Sequence, residues 1–227
     1  MKATLYIIAG PIGNLEDLTF RAKRILEEVD FILAEHPRYL QRLLSFYKIK
    51  TSVLSYHQHS SPWQRHRIVN LLQEGKELAL MTDAGTPGIA DPGNELIQEV
   101  RASVESIKII ALPGPSALTT AASLCGFRMD KFFFLGFLPK KKKRNAWLRE
   151  IANYSYPVIF YESPYRLLKT LDQLADLNQD LEIFVGRELT KKFETTYQGN
   201  IRKVISKLQE GRIKGEFVVI LNHHGKR

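Results

Sequence analysis

Leu80-Met81-Thr82-Asp83-Ala84-Gly85-Thr86-Pro87-Gly88-Ile89-Ala90-Asp91-Pro92-Gly93 starts apolar and turns polar at its third residue. Counted from Leu78, the apolar start has the length and composition of a buried parallel strand. Gly85, Gly88 and Gly93, with Pro87 and Pro92, then force a compact turning loop. Beyond it Leu96, Ile97 and Val100 recur at helical spacing. In open α/β sheets, a loop between a strand's carboxyl end and a helix is where ligands bind. Its glycines let the backbone approach a ligand closely, and Asp83 is placed to accept hydrogen bonds from hydroxyl or amino groups. Asp91 reads instead as a cap for a helix that Pro92 begins.

The same order of strand and turn recurs outward from this stretch. Residues 5–9 are apolar and end in Gly10-Pro11-Ile12-Gly13-Asn14, and residues 107–111 end in Pro113-Gly114-Pro115-Ser116. Between them, Thr19 can cap a helix carrying Ala22, Ile25, Leu26 and Val29 on one face. Residues 31–34 form another short strand. Pro37 suits the first turn of a helix with Leu40, Leu43, Leu44 and Tyr47, and Ile68, Leu71 and Leu72 mark a third helix. Alternating strands and helices argue an α/β fold with a mainly parallel sheet in this half. After Cys125-Gly126 the pattern changes. Aromatic residues 132–137 and the apolar segments 158–161, 183–185 and 217–221 read as strands of a second, mixed sheet. Helices with Leu167, Leu168, Leu171 and Leu174, and with Ile201, Val204, Ile205 and Leu208, lie between them. The expected division is a domain of residues 1–113 and a domain of residues 114–227, with no low-complexity linker.

At 227 residues, with 44% hydrophobic and 25% charged residues, the chain has the composition of a globular protein. No apolar run is long enough to span a bilayer, and no signal peptide is expected ahead of the first strand. Cys125 is the only cysteine, which forbids an internal disulfide and a cysteine-rich zinc site and fits a cytoplasmic location. The net charge of +9 suits a polyanionic partner, although a basic proteome gives the same number. There is no phosphate-binding G-x-x-x-x-G-K-[ST] loop and no dinucleotide fingerprint after a strand. His57 and His59 stand alone on a polar loop, so no metal is expected. Ser116 lacks a nucleophile elbow and reads as a helix cap or as an amide-rich contact for a carboxylate. Lys140-Lys141-Lys142-Lys143-Arg144 follows a strand end in the same half as Tyr161, Glu162, Arg166, Arg187 and Lys191. The run is either a solvated loop or a clamp on a phosphate backbone, and RNA contact is the expectation.

Together these segments resemble one family. The opening Gly10-Pro11-Ile12-Gly13-Asn14-Leu15-Glu16-Asp17 and the stretch from Asp83 to Gly93 are similar to its T-P-I-G-N-L-x-D and D-A-G-T-P-G-I-S-D-P-G signatures. Pro113-Gly114-Pro115-Ser116-Ala117, Gly136-Phe137-Leu138-Pro139-Lys140-Lys141, Tyr161-Glu162-Ser163-Pro164-Tyr165-Arg166, Arg187-Glu188-Leu189-Thr190-Lys191 and Gly215-Glu216-Phe217-Val218 follow in family order. The resemblance is to the ribosomal RNA small-subunit methyltransferase I group of the tetrapyrrole methylase superfamily. It implies two α/β domains with S-adenosylmethionine in the cleft between them. It also implies a homodimer and methyl transfer to a cytidine ribose 2′-hydroxyl of 16S ribosomal RNA. Carried over, Pro11, Asp83, Gly85, Thr86, Ser116 and Ala117 fall in cofactor loops. Glu162, Arg187, Glu188 and Lys191 fall on the substrate side, with Glu162, Glu188 and Arg187 as catalytic candidates. Lys191 joins the basic run as an RNA contact.

Three features depart from the family pattern. Gly10 stands where it has Thr, and Ala34-Glu35-His36-Pro37-Arg38 stands where it has A-E-D-T-R. Many members also extend beyond the last strand. Either Glu162 or Glu188 can take the hydroxyl proton, and the sequence does not choose. The rivals are a related methylase acting on another RNA or on a small molecule, and a non-catalytic RNA-binding protein on an inherited fold.

Overall fold

The computed structural model describes residues 3–139 and 144–223. Contacts divide the chain into two compact units, Met1–Ser116 and Ala117–Arg227.

The first unit alternates strands and helices: β1 (Thr4–Ile8), a 3-10 turn (Leu15–Asp17), α1 (Phe20–Glu28), β2 (Phe31–Ala34) and α2 (Pro37–Tyr47), then β3 (Ser52–Ser55), α3 (Pro62–Gln73), β4 (Glu77–Met81), α4 (Asn94–Ser103) and β5 (Lys108–Leu112). The sheet order is β3-β2-β4-β1-β5, parallel throughout. Side chains alternate across it as the pleat requires. Ile8, Ile32, Ala79 and Met81 pack with Leu26 and Leu44 of α1 and α2 on one face. Leu5, Leu33, Leu78 and Leu80 pack with Leu72 and Val100 of α3 and α4 on the other. The chain therefore leaves β1 and β2 toward one face and leaves β4, their shared neighbour, toward the other. That reversal opens a crevice at the carboxyl ends of these strands.

Local chemistry sets the helix starts. Thr19 accepts the Ala22 amide at 3.1 Å, and Pro37 occupies the first turn of α2. Ser61 and Gln64 close a capping box on α3. The expected Asp91 cap does not form. Helix α4 begins at Asn94 behind Gly93, whose φ of 146° ends the loop two residues later than the Pro92 signal suggests.

The second unit comprises α5 (Ala117–Leu124), β6 (Phe133–Phe137), α6 (Arg144–Ile151), β7 (Val158–Glu162) and α7 (Leu167–Leu177), then β8 (Glu182–Arg187), β9 (Thr195–Asn200), α8 (Ile201–Gln209) and β10 (Phe217–Asn222). Its sheet order is β6-β7-β10-β8-β9, with β6 parallel to β7 and the other pairs antiparallel. One core joins Val158 and Phe160 of β7 and Val219 of β10 to Leu171 of α7 and Val204 of α8. Cys125 is fully buried and donates its thiol to the Ala122 carbonyl, in keeping with a core role. Among the described residues no helix is long and apolar enough to cross a membrane.

Candidate functional site

Three loops leave the carboxyl ends of β1, β4 and β5 in the first unit. Two of them are bonded to each other. The Gly10 amide donates to the Gly85 carbonyl at 2.9 Å, and the Gly85 amide donates back at 3.1 Å. Gly85 sits at φ 73°, a region that side chains seldom adopt, so this junction favours glycine. Thr86 Oγ1 donates to the Pro115 carbonyl at 3.5 Å, which brings the third loop alongside. Gly114 lies so close to β1 that a Cβ there would stand 3.0 Å from the Ala9 Cβ. The loop walls are thus largely bare backbone. A pocket lies beside them, lined by Gly10, Pro11, Ala34, Glu35, Met81 and Asp83 and closed by Tyr39, Leu40 and Leu43 of α2. Of the expected cofactor residues, Pro11 and Asp83 line this pocket, while Gly85 and Thr86 join the loops beside it. Ser116 ends this unit, and Ala117 is the first residue of α5.

The charges around this pocket are mostly negative. Asp83 Oδ2 lies 2.7 Å from His36 Nδ1. Glu35 is shifted upward by burial and by the Asp83 charge, against a smaller opposing pull from His36 and His57. Burial, with the Glu35 and Asp83 charges behind it, pushes Asp91 up to about 6. Glu35, His36 and Asp83 place ligand atoms within 4.8 Å of one another, which makes them the group suited to a metal ion among the described residues. His36 Nδ1, however, is already engaged with Asp83. The sequence reading does not place His36 at a site. The available signal is its position, a histidine between a strand end and Pro37 where the resembled family carries an acid.

In the second unit, Glu162 is buried and saturated. Its Oε1 accepts the Ser163 amide at 2.9 Å and the Arg166 guanidinium at 2.6 Å, while Oε2 accepts the Thr170 hydroxyl at 2.8 Å. Arg144 stands 3.6 Å from Oε2 and donates to Thr170. Arg166 and Arg144 also reach the Leu138 and Pro139 carbonyls. These contacts make Glu162 an anchor for the chain around it. Arg144 likewise turns inward. Lys140, Lys141, Lys142 and Lys143 lie outside the described residues.

A second cluster forms on the turn after β8. Glu188 Oε1 accepts Lys191 Nζ and the Glu216 amide, each at 2.9 Å, and Lys191 also meets Glu216 at 3.0 Å. Burial disfavours both charged forms, but the mutual pairing wins, so Glu188 sits below its ordinary range and Lys191 above it. Arg187 Nε donates to the Lys214 carbonyl. Glu188 and Thr190 both adopt positive φ, at 51° and 66°, an uncommon strain for residues with side chains.

Comparison with known proteins agrees with this architecture. The model of the tetrapyrrole (corrin/porphyrin) methylases matches residues 4–205. A protein of Halalkalibacterium halodurans named "Ribosomal RNA small subunit methyltransferase I" is 42% identical over 227 residues, covering 100% of this chain and 78% of the relative. A Thermotoga maritima protein of the same name is 42% identical over 218 residues, covering 96% of this chain and 97% of its own length. Among solved structures, a diphthine synthase superposes with a TM-score of 0.73 at 11% identity over 97% of this chain and 90% of that one. A cobalt precorrin-4 methyltransferase superposes with a TM-score of 0.70 at 17% identity over 96% and 94%. Both likenesses speak for the fold alone. On the sequence matches and the shared architecture, the chain belongs to the tetrapyrrole methylase family and, within it, to the ribosomal RNA small subunit methyltransferase I group.

Proposed function

We propose that the protein methylates the ribose 2′-hydroxyl of a cytidine in small-subunit ribosomal RNA. It uses S-adenosylmethionine and works as a homodimer in the cytoplasm. The observation that carries this reading is the bonded Gly10–Gly85 loop pair beside Asp83, in a chain 42% identical to relatives named for that RNA.

The loop residues fit the cofactor's chemistry. Glycine at Gly114 lets the third loop pack against Ala9, and the bare backbones of Gly10 and Gly85 bond the other two loops together. Asp83 accepts hydrogen bonds from hydroxyl or amino groups, and Pro11, Thr86, Ser116 and Ala117 complete the loops that hold the cofactor. When bound, S-adenosylmethionine supplies a methyl group made electrophilic by its sulfonium. The task left to the protein is alignment of the ribose oxygen with that methyl group. Arg187 and Lys191 serve the RNA side, and the cations of Lys140, Lys141, Lys142 and Lys143 hold phosphates. Glu188 keeps Lys191 in place through their ion pair.

The test supplies labelled S-adenosylmethionine and small ribosomal subunits that lack the modification. Label should appear on a ribose and make that linkage resistant to alkali, because a methylated oxygen cannot attack the adjacent phosphate. A substrate with a single 2′-deoxy sugar at the target should accept none. Label on a base would overturn the ribose assignment. Absence of label on RNA, despite cofactor binding by calorimetry, would overturn the RNA substrate. Light scattering should return twice the mass of one chain.

A further inference from the structure

Glu162 accepts three hydrogen bonds, and Glu188 Oε1 accepts Lys191 and the Glu216 amide, so both acids expected from the sequence are held in ion pairs. A different group has the right geometry. His36 lies at the end of β2, and Pro37 behind it disfavours helical backbone, so His36 takes an extended conformation at φ −124°. That conformation leaves the imidazole beside the β4 loop, with Nδ1 2.7 Å from Asp83 Oδ2. A carboxylate at Nδ1 holds the proton there and leaves a lone pair on Nε2, which points away across the ring. The His36 side chain is 66% exposed, against 38% for Asp83, which lines the pocket, so the arrangement is an imidazole oriented by Asp83 and facing solvent.

We infer that His36 is the general base of the reaction, with Asp83 as its orienting partner. The inference rests on the ribose-methylation reading above. As the ribose oxygen bonds to the methyl carbon, the carbon–sulfur bond breaks and its electron pair stays on sulfur as a neutral thioether. The hydroxyl proton moves to His36 Nε2, and the resulting imidazolium is stabilised by the Asp83 carboxylate until it returns the proton to solvent. Among the described residues, Glu35 after β2 and Asp91 in the loop after β4 act on Asp83, His57 beyond β3 acts on Glu35, and Arg42 and Tyr39 of α2 line the same pocket.

Two measurements test the pair, one of them independent of turnover. Imidazole nitrogen NMR of the protein without RNA should show the neutral His36 ring carrying its proton on Nδ1. In Asp83→Asn the side-chain amide becomes a donor, and the proton should shift to Nε2. Single-turnover methylation of unmodified subunits should slow by about a hundredfold or more in His36→Gln, the range for loss of a general base, and lose the acid limb of its pH profile. Cofactor and RNA affinities should stay within about threefold of the parent, because the loss is confined to proton transfer. A His36→Gln protein as fast as the parent with the same pH profile overturns the assignment, as does an Nε2-protonated imidazole in the parent. A loss that appears only as weaker cofactor or RNA binding also overturns it. Parent protein that methylates no ribose overturns the function itself, and the base with it, an outcome distinguishable from an active parent with an equally active variant.

Discussion

Asp91 keeps its proton to about pH 6 because burial, then the charges of Glu35 and Asp83, disfavour its anion. In the unfolded chain it ionises near 3.8. Between those values the folded state holds a proton that the unfolded state has released, so stability falls as pH rises and the cost is complete above about 6. A shift of about two units corresponds to roughly 3 kcal/mol, and solvent at the loop reduces this to about 1–2 kcal/mol. Asp91→Asn should therefore raise the melting temperature at pH 7.5, and the gain should shrink at pH 4.5 in parallel thermal melts. Asp83 makes the opposite case under the proposed function, in which its carboxylate holds the cofactor. Asp83→Ala should weaken S-adenosylmethionine binding by roughly 1–3 kcal/mol in calorimetry, the range for a lost charged hydrogen bond, while thermal stability changes little. Unchanged affinity would remove Asp83 from the cofactor site. The sequence made Asp83 legible through its place after an apolar strand. It made Asp91 look like a cap, because nothing local announces that Gly93 delays the helix or that Glu35 folds in beside the loop.

At the scale of elements, the junction of β7, α6 and α7 depends on one carboxylate. Removing it leaves Arg166 and Arg144 half-buried, with side-chain exposures of 21% and 12%, without their counter-ion. Glu162→Ala should cost about 3–5 kcal/mol, the range for breaking a buried pair from one side, and should appear as a lower urea midpoint. A small loss with strongly impaired methylation at full stability would instead restore Glu162 to the chemistry. Legibility also varied by element. Strands β1, β2, β4 and β10 read clearly because both faces are buried and their runs are continuously apolar. Strands β3 and β9 were missed. Both are sheet edges with polar, partly exposed residues, so position in the sheet and not local pattern makes them strands. The Glu162 cluster could not be foreseen either, since Arg144 and Thr170 meet only through the fold.

For the whole molecule, the net charge of +9 gains meaning from where its cations are engaged. Arg144 is committed inward, which separates it from the four lysines that precede it. Replacing Lys140, Lys141, Lys142 and Lys143 with glutamine should weaken RNA binding and flatten its dependence on salt, because fewer counterions are released, with cofactor affinity unchanged. Arg144→Gln should show the reverse, lowering stability more than it alters the salt slope. An unchanged slope in the quadruple variant would leave the lysines as solvated surface. The sheet order carries one more consequence, for the order of events during synthesis. Strand β1 is made before both of the sheet neighbours it pairs with, β4 and β5, at Glu77–Met81 and Lys108–Leu112. At roughly 5–20 residues per second, this strand waits on the order of ten seconds for both partners to leave the ribosome. Until then its apolar residues need shelter from some other surface, so a nascent chain arrested before β5 is the species most exposed to chaperones and to aggregation.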